Sequence, residues 1–143
     1  MGSSTPIMIR RTVAYPAKDL FSIISDIEAY PQFIPNCTAT RITARRGNEW
    51  LVDNIFRLGP VPLNFRTRAV LDPPHGIAIR SIDTGVIDLA LKWQFSEGVD
   101  GTEMIFEMVL DIPGPAFLLT RTLQHQAEEI EAAFLKRAAS LLD

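Results

Sequence analysis

Across residues 36–112 apolar side chains recur at every second position, and after Pro113-Gly114-Pro115 the spacing becomes helical and stays so to the end. No other feature restricts the fold as much, because a period of two and a period of 3.6 demand different backbones. Trp50, Val52, Phe56 and Leu58 alternate with Glu49, Asp53 and Arg57, and Leu63, Phe65, Thr67, Ala69 and Leu71 with Asn64, Arg66 and Arg68. Ile87, Leu89, Leu91, Trp93 and Phe95 are interleaved with Asp88, Lys92 and Gln94, and Met104, Phe106, Met108 and Leu110 with Glu103, Glu107 and Asp111. Such alternation belongs to strands with one apolar and one wetted face, hence to antiparallel pairing. Turn-forming stretches separate the runs: Arg46-Gly47-Asn48, Gly59-Pro60, Asp72-Pro73-Pro74-His75-Gly76, Asp83-Thr84-Gly85 and residues 98–101. The segment divides into about six consecutive strands.

Behind the proline-glycine break, Leu119, Leu123, Ala127, Ile130, Phe134, Ala138 and Leu141 form one stripe, with Glu128, Glu131, Lys136 and Arg137 mainly on other faces. The helix they predict has about 25 residues and a length of about 37 Å, enough to cross a small sheet. Ahead of the strands, residues 5–15 read as a strand. Pro16 suits the first turn of a helix that carries Ala17, Leu20, Phe21 and Ile24 on one face. Ser25-Asp26-Ile27-Glu28 has capping-box spacing and predicts a second helix, which Pro31 and Pro35 keep short. This order predicts an α+β fold of the helix-grip kind. A curved antiparallel sheet of about seven strands surrounds a long C-terminal helix, with two short helices after strand 1. A sheet that half-wraps a helix leaves room for an apolar cavity between them, a common ligand site.

The 143 residues fit a single hydrophobic-ligand-binding domain, 1–143. Apolar residues at 47% and charged residues at 22% exclude disordered, collagen-like and coiled-coil chains. A net charge of −3 supplies no general field for nucleic acid, so no DNA partner is expected. The lone cysteine, Cys37, excludes an internal disulfide framework and suits a reducing compartment. No apolar run reaches the roughly 18 residues of a membrane span. Pro6 stands where a myristoylation start requires Ser or Thr, and Pro6-Ile7-Met8-Ile9 is too short for a secretory core. The expected location is cytoplasmic, with peripheral contact at the inner membrane.

Catalytic signatures are scarce. There is no Gly-x-Ser-x-Gly elbow, no glycine-rich phosphate loop and no Cys/His pair at metal spacing. Neither a metal, nor a cofactor, nor covalent catalysis is therefore expected. His75 reads as a solvated turn residue, His125 as a surface or half-buried helix residue, and Cys37 as a small buried hydrophobe. The inward registers of the four clearest strands carry apolar bulk instead. The candidate cavity residues are Phe33, Trp50, Val52, Asn54, Phe56, Phe65, Thr67, Leu89, Leu91, Trp93, Met104, Phe106, Met108, Phe117 and Leu123. Aromatic and methionine side chains make a deformable lining for a flat or isoprenoid ligand, and plain core packing is the competing reading. Asn54 and Thr67 are candidates to orient a carbonyl or hydroxyl, since buried polar groups need partners. Three loop segments are unusually apolar: Phe33-Ile34-Pro35, Pro60-Val61-Pro62-Leu63 and Pro115-Ala116-Phe117-Leu118. Phe33, Val61 and Phe117 are therefore expected to border a cavity mouth that touches lipid transiently.

Tyr30-Pro31-Gln32-Phe33-Ile34-Pro35-Asn36-Cys37 resembles the Tyr-Pro-x-Phe-(Leu/Ile)-Pro-x-Cys segment of the coenzyme Q-binding START-like family. That family includes the bacterial ribosome-association toxin and belongs to the polyketide cyclase/lipid transport superfamily. Phe65-Arg66-Thr67-Arg68, Trp93-Gln94-Phe95 and Ala133-Phe134-Leu135-Lys136-Arg137-Ala138 are similar to further family segments, and Asn36 stands where the family often has Trp or Gly. The resemblance implies a non-enzymatic domain that binds or delivers ubiquinone or another polyprenyl lipid and supports respiratory quinone function or biosynthesis. Its toxin branch implies an alternative, attachment to the large ribosomal subunit. Arg41, Arg45, Arg46, Arg66 and Arg68 are the expected basic patch on the outer sheet face for that role. A polyketide aromatase/cyclase ranks third, because the inward strand registers offer no acid or base.

Overall fold

The computed structural model describes residues 6–82, 87–112 and 123–143. In chain order they form β1 (Ile7–Val13), α1 (Ala17–Ile24), a 3₁₀ helix (Ile27–Gln32) and β2 (Cys37–Arg46). Then follow β3 (Glu49–Leu58), β4 (Val61–Asp72), β5 (Gly76–Ser81), β6 (Asp88–Gly98), β7 (Gly101–Asp111) and α2 (Leu123–Leu142). The seven strands make one sheet in the order β1-β7-β6-β5-β4-β3-β2, antiparallel throughout. Strands β2 to β7 form a meander, and β1 returns to pair with β7; the pairing is antiparallel, as the alternation predicts.

The period-two pattern sets which side chains meet the helix. Along one row, Trp50, Ala69, Ile79, Leu91 and Met108 lie opposite one another on consecutive strands. Trp93 stacks on Phe106 at 4.1 Å between ring centroids, and Phe134 of α2 sits 4.6 Å from Trp93. Gly76 permits this arrangement. A Cβ there would lie 2.1 Å from the Trp93 carbonyl oxygen, so any side chain would push β5 off β6. The buried apolar residues divide into two clusters. The larger gathers α1, α2 and the sheet around Trp93, and the smaller comprises Phe65, Ile87, Leu89 and Ile112.

Three sequence expectations are corrected here. Ser25 and Glu28 do not form a capping box. Ser25 ends α1, neither helix has a side-chain cap, and Glu28 accepts the Ile42 backbone N–H at 2.9 Å. The short helix is 3₁₀ because Pro31 within it cannot donate to an α-ladder.

The second correction concerns Glu131, expected off the helix stripe. It lies four residues after Ala127 and three before Phe134, on the inward face, and is only 2% exposed. Arg11 of β1 answers it in bidentate fashion, Nε to Oε2 at 2.6 Å and Nη2 to Oε1 at 2.9 Å. That hydrogen bonding, then the carboxylate charge, raises the Arg11 pKa further. At the far end of α2, Leu141 is exposed and Leu142 packs on the core in its place. The expected helix start, including Leu119, lies outside the described residues.

The third correction concerns the arginine patch. β2 has irregular pairing between Cys37 and Ala39 and between Ile42 and Ala44, and an extra residue at such a bulge shifts the side-chain phase. The second bulge places Arg45 opposite Trp50, with its guanidinium carbon 4.8 Å from the indole centroid. Arg45 therefore leaves the outer face, where Arg41 and Arg66 flank Asp53 and Arg68 binds Glu49 at 3.1 Å.

Candidate ligand-binding cavity

Between the two apolar clusters lies a cavity of about 130 Å³. Its floor is the concave sheet: Val52, Asn54 and Phe56 of β3, Phe65, Thr67 and Ala69 of β4, Ile79 of β5, Leu89, Leu91 and Trp93 of β6, and Met108 and Leu110 of β7. Ile24, Ile27, Tyr30 and Ile34 supply one wall, and Gln126, Glu129 and Ile130 of α2 another. The wall residues Asn36 and Arg57 are exposed, which places the opening between the turn before β2, the β3–β4 hairpin and the first turns of α2.

Asn54 and Thr67 form the buried polar spot in this lining. Asn54 is 7% exposed, and its Nδ2 donates to the carbonyls of Val52 and Phe65, each at 3.2 Å, and to Thr67 Oγ1 at 3.0 Å. Tyr30, also on the wall, spends its hydroxyl proton on the Ile24 carbonyl. Burial raises the Tyr30 phenol well above its ordinary value, with smaller contributions from Cys37 and Asp26.

Cys37 sits behind this wall at the start of β2, and burial pushes its thiol up to about 12. Reaction with iodoacetamide at pH 8 is therefore expected to be roughly a hundredfold slower, or more, in the native protein than in urea. The raised value also sets a sign. The folded thiol keeps its proton where the unfolded one, near 9, has lost it, so stability falls as pH rises above about 9. A native thiol alkylated as fast as the unfolded one contradicts this burial.

Nine of the expected lining residues face the cavity: Val52, Asn54, Phe56, Phe65, Thr67, Leu89, Leu91, Trp93 and Met108. Five others do not. Met104 and Phe106 share the concave face but lie in the filled core, with Phe106 stacked on Trp93. Trp50 is turned to the hairpin, where its indole N–H donates to the Gly47 carbonyl at 3.2 Å. Leu123 packs on the main cluster. Phe33 stands edge-on to Tyr30 and under the Arg137 guanidinium, so Pro35 and Asn36 border the opening in its place. Val61 is 40% exposed at the β3–β4 hairpin, directly across from the wall residue Leu58. Phe117 lies outside the described residues. Among the residues not foreseen, Ile79, Ile87 and Leu110 continue inward registers and were legible in principle. Gln126 and Glu129 carry no apolar signal that would have found them.

Elsewhere the chemistry is sparse. Among the described residues no group of three His, Cys, Asp or Glu side chains could hold a metal ion, and no helix is long and apolar enough to cross a membrane. His75 is exposed in its turn, and His125 pairs with Glu129 at 3.5 Å on α2. On the convex face, a broader depression of about 580 Å³ is bordered by Arg68, Arg80 and Lys92, with Val70 and Ile82 exposed beside them.

A seven-stranded antiparallel sheet whose concave, apolar face is closed by a C-terminal helix over an internal cavity defines the helix-grip, START-like class of hydrophobic-ligand domains. Comparison with known proteins agrees: the chain belongs to the polyketide cyclase / dehydrase and lipid transport family, which matches residues 13–138. It is similar to the ribosome association toxin RatA of Pseudomonas aeruginosa, 28% identical over 143 residues covering 96% of this chain and 98% of the toxin. It is also similar to the mitochondrial coenzyme Q-binding protein COQ10 of Drosophila melanogaster, 23% identical over 91 residues covering 63% of this chain and 38% of that protein. The solved structure of a START superfamily protein from Mycobacterium smegmatis superposes with a TM-score of 0.75 at 19% identity, covering 95% of this chain and 98% of that one.

Proposed function

We propose that this protein binds the ring of a ubiquinone-like polyprenyl lipid in the cavity and carries it without transforming it. The observation behind this reading is the cavity itself: about 130 Å³, walled mostly by aliphatic and aromatic side chains. An apolar cavity of about 150 Å³ takes up benzene, so this one suits a single ring. A polyprenyl tail does not fit beside the ring and leaves by the opening, where Val61 at the hairpin tip offers apolar surface to a membrane. The buried polar groups on the described wall are amide, phenol, indole and hydroxyl, while the wall carboxylate, Glu129, is partly exposed and paired with His125, which supports a binding role over acid–base chemistry. The similarity to a coenzyme Q-binding protein points the same way.

A second reading rests on the convex face, where Arg68, Arg80 and Lys92 border one depression beside Glu107 in a chain of net charge −3. Such a patch suits phosphate, and the similarity to a ribosome association toxin supports it. One experiment separates the two. Purified protein, incubated with ubiquinone, re-isolated and extracted with organic solvent, is expected to yield quinone by mass spectrometry. An extract without lipid, together with salt-sensitive cosedimentation with large ribosomal subunits, overturns the first reading in favour of the second.

A further inference from the structure

Asn54 fixes the orientation of its amide in a way that exposes one particular atom. Its Nδ2 is surrounded by three oxygens, the carbonyls of Val52 and Phe65 and Thr67 Oγ1, at 3.0–3.2 Å. Turning the amide over would set Oδ1 against those same lone pairs, so the nitrogen must face them and Oδ1 must face the other way. No described residue donates to Oδ1. Nor is it sealed in, because no fully shielded side-chain nitrogen or oxygen lacks a partner. A side chain more than nine-tenths buried, on the cavity wall, thus presents to the cavity an acceptor that has no partner among the described residues. Thr67 Oγ1 beside it already accepts from Nδ2 and keeps its own proton to donate.

We infer that Asn54 Oδ1 selects a ligand bearing a ring hydroxyl, so that the cavity holds the hydroquinone or a phenol in preference to the fully oxidised quinone. This rests on the cavity being a ligand site. A hydroxylated ring donates to Oδ1 and accepts from Thr67, which satisfies both members of the pair. A quinone has no proton to give. Its carbonyls can accept from Thr67 or from the Trp93 indole, yet Oδ1 is then stripped of water and left without a donor. An unpaired buried acceptor is costly, and the difference corresponds to about tenfold in affinity.

Durohydroquinone and duroquinone test this, because they match in shape and full ring methylation blocks addition to Cys37. Isothermal titration under anaerobic conditions, with p-xylene as an apolar control, is expected to show durohydroquinone binding about tenfold more tightly than duroquinone. In Asn54→Leu the preference is expected to vanish while p-xylene still binds. Equal affinity of the two ring probes in the wild-type protein, with p-xylene bound, overturns the inference and leaves the cavity reading intact. No binding of any of the three overturns both. The wild-type preference is decisive alone if Asn54→Leu does not fold.

Discussion

Replacing Phe134 by alanine is expected to lower unfolding stability by about 3–5 kcal/mol, measured as a shift of the urea midpoint at constant slope. Phe134 is fully buried in α2 and meets two strand aromatics, Trp93 at 4.6 Å and Phe95 at 6.2 Å between centroids. The other buried positions of α2 cannot fill the gap, because Ala127 and Ala138 are small and Glu131 is held by Arg11. Collapse is also resisted by the sheet, because Trp93 is held by Phe106 behind it and by the close β5–β6 approach at Gly76. The loss should therefore sit at the upper end of the range and lower the melting temperature by about 10 °C or more. A loss below about 1 kcal/mol would show that α2 is held by other contacts.

Arg11→Met is expected to be the next most damaging change, at about 3 kcal/mol, because it strands the Glu131 carboxylate inside the protein. The two residues lie 120 positions apart, on the edge strand β1 and on α2, and their bidentate geometry fixes the helix against that edge. Arg11 is itself 49% exposed, so its attraction is partly screened, which keeps the figure toward the low end of the range for buried pairs. Removing both partners is a different experiment. Arg11→Met with Glu131→Leu leaves no unpaired charge, and much of the lost stability should return. If Glu131→Leu rescues nothing in the Arg11→Met background, the loss at Arg11 came from packing of its aliphatic stem.

Strand number, antiparallel pairing and the inward registers were legible because alternation along a strand leaves each side chain a choice of only two faces. Val52, Asn54, Phe65, Thr67 and Leu89 were placed on that basis alone. What periodicity does not encode is where along the sheet the helix fills the concavity. Met104 and Phe106 obey the same alternation as Met108, yet they lie in the filled core and Met108 borders space. Trp50 and Phe33 failed for another reason. Each adjoins a turn, where local hydrogen bonding at Gly47 and ring packing on Tyr30 redirect the side chain. Arg45 dropped out of the arginine patch at a bulge, since one extra residue in β2 shifts the side-chain phase beyond it, while Arg41, Arg66 and Arg68 kept the outer face. Glu131 was hidden by its chemistry. A glutamate on an apolar stripe is normally assigned to solvent, and only Arg11, far away in the chain, makes its burial affordable.

The separation of the apolar core into two clusters has a thermodynamic consequence. Phe56, Leu91 and Leu110 touch both, and the cavity occupies the remaining gap, so this fold is a hydrophobic core with one member missing. A ligand seated there becomes that member and is lost on unfolding, which links occupancy to folding. At a free concentration a hundred times its dissociation constant it adds about 2.7 kcal/mol. That is comparable to what a buried aromatic side chain contributes. Under the proposed binding role, the loaded and empty forms are molecules of different durability, and the empty form is the easier to open and degrade.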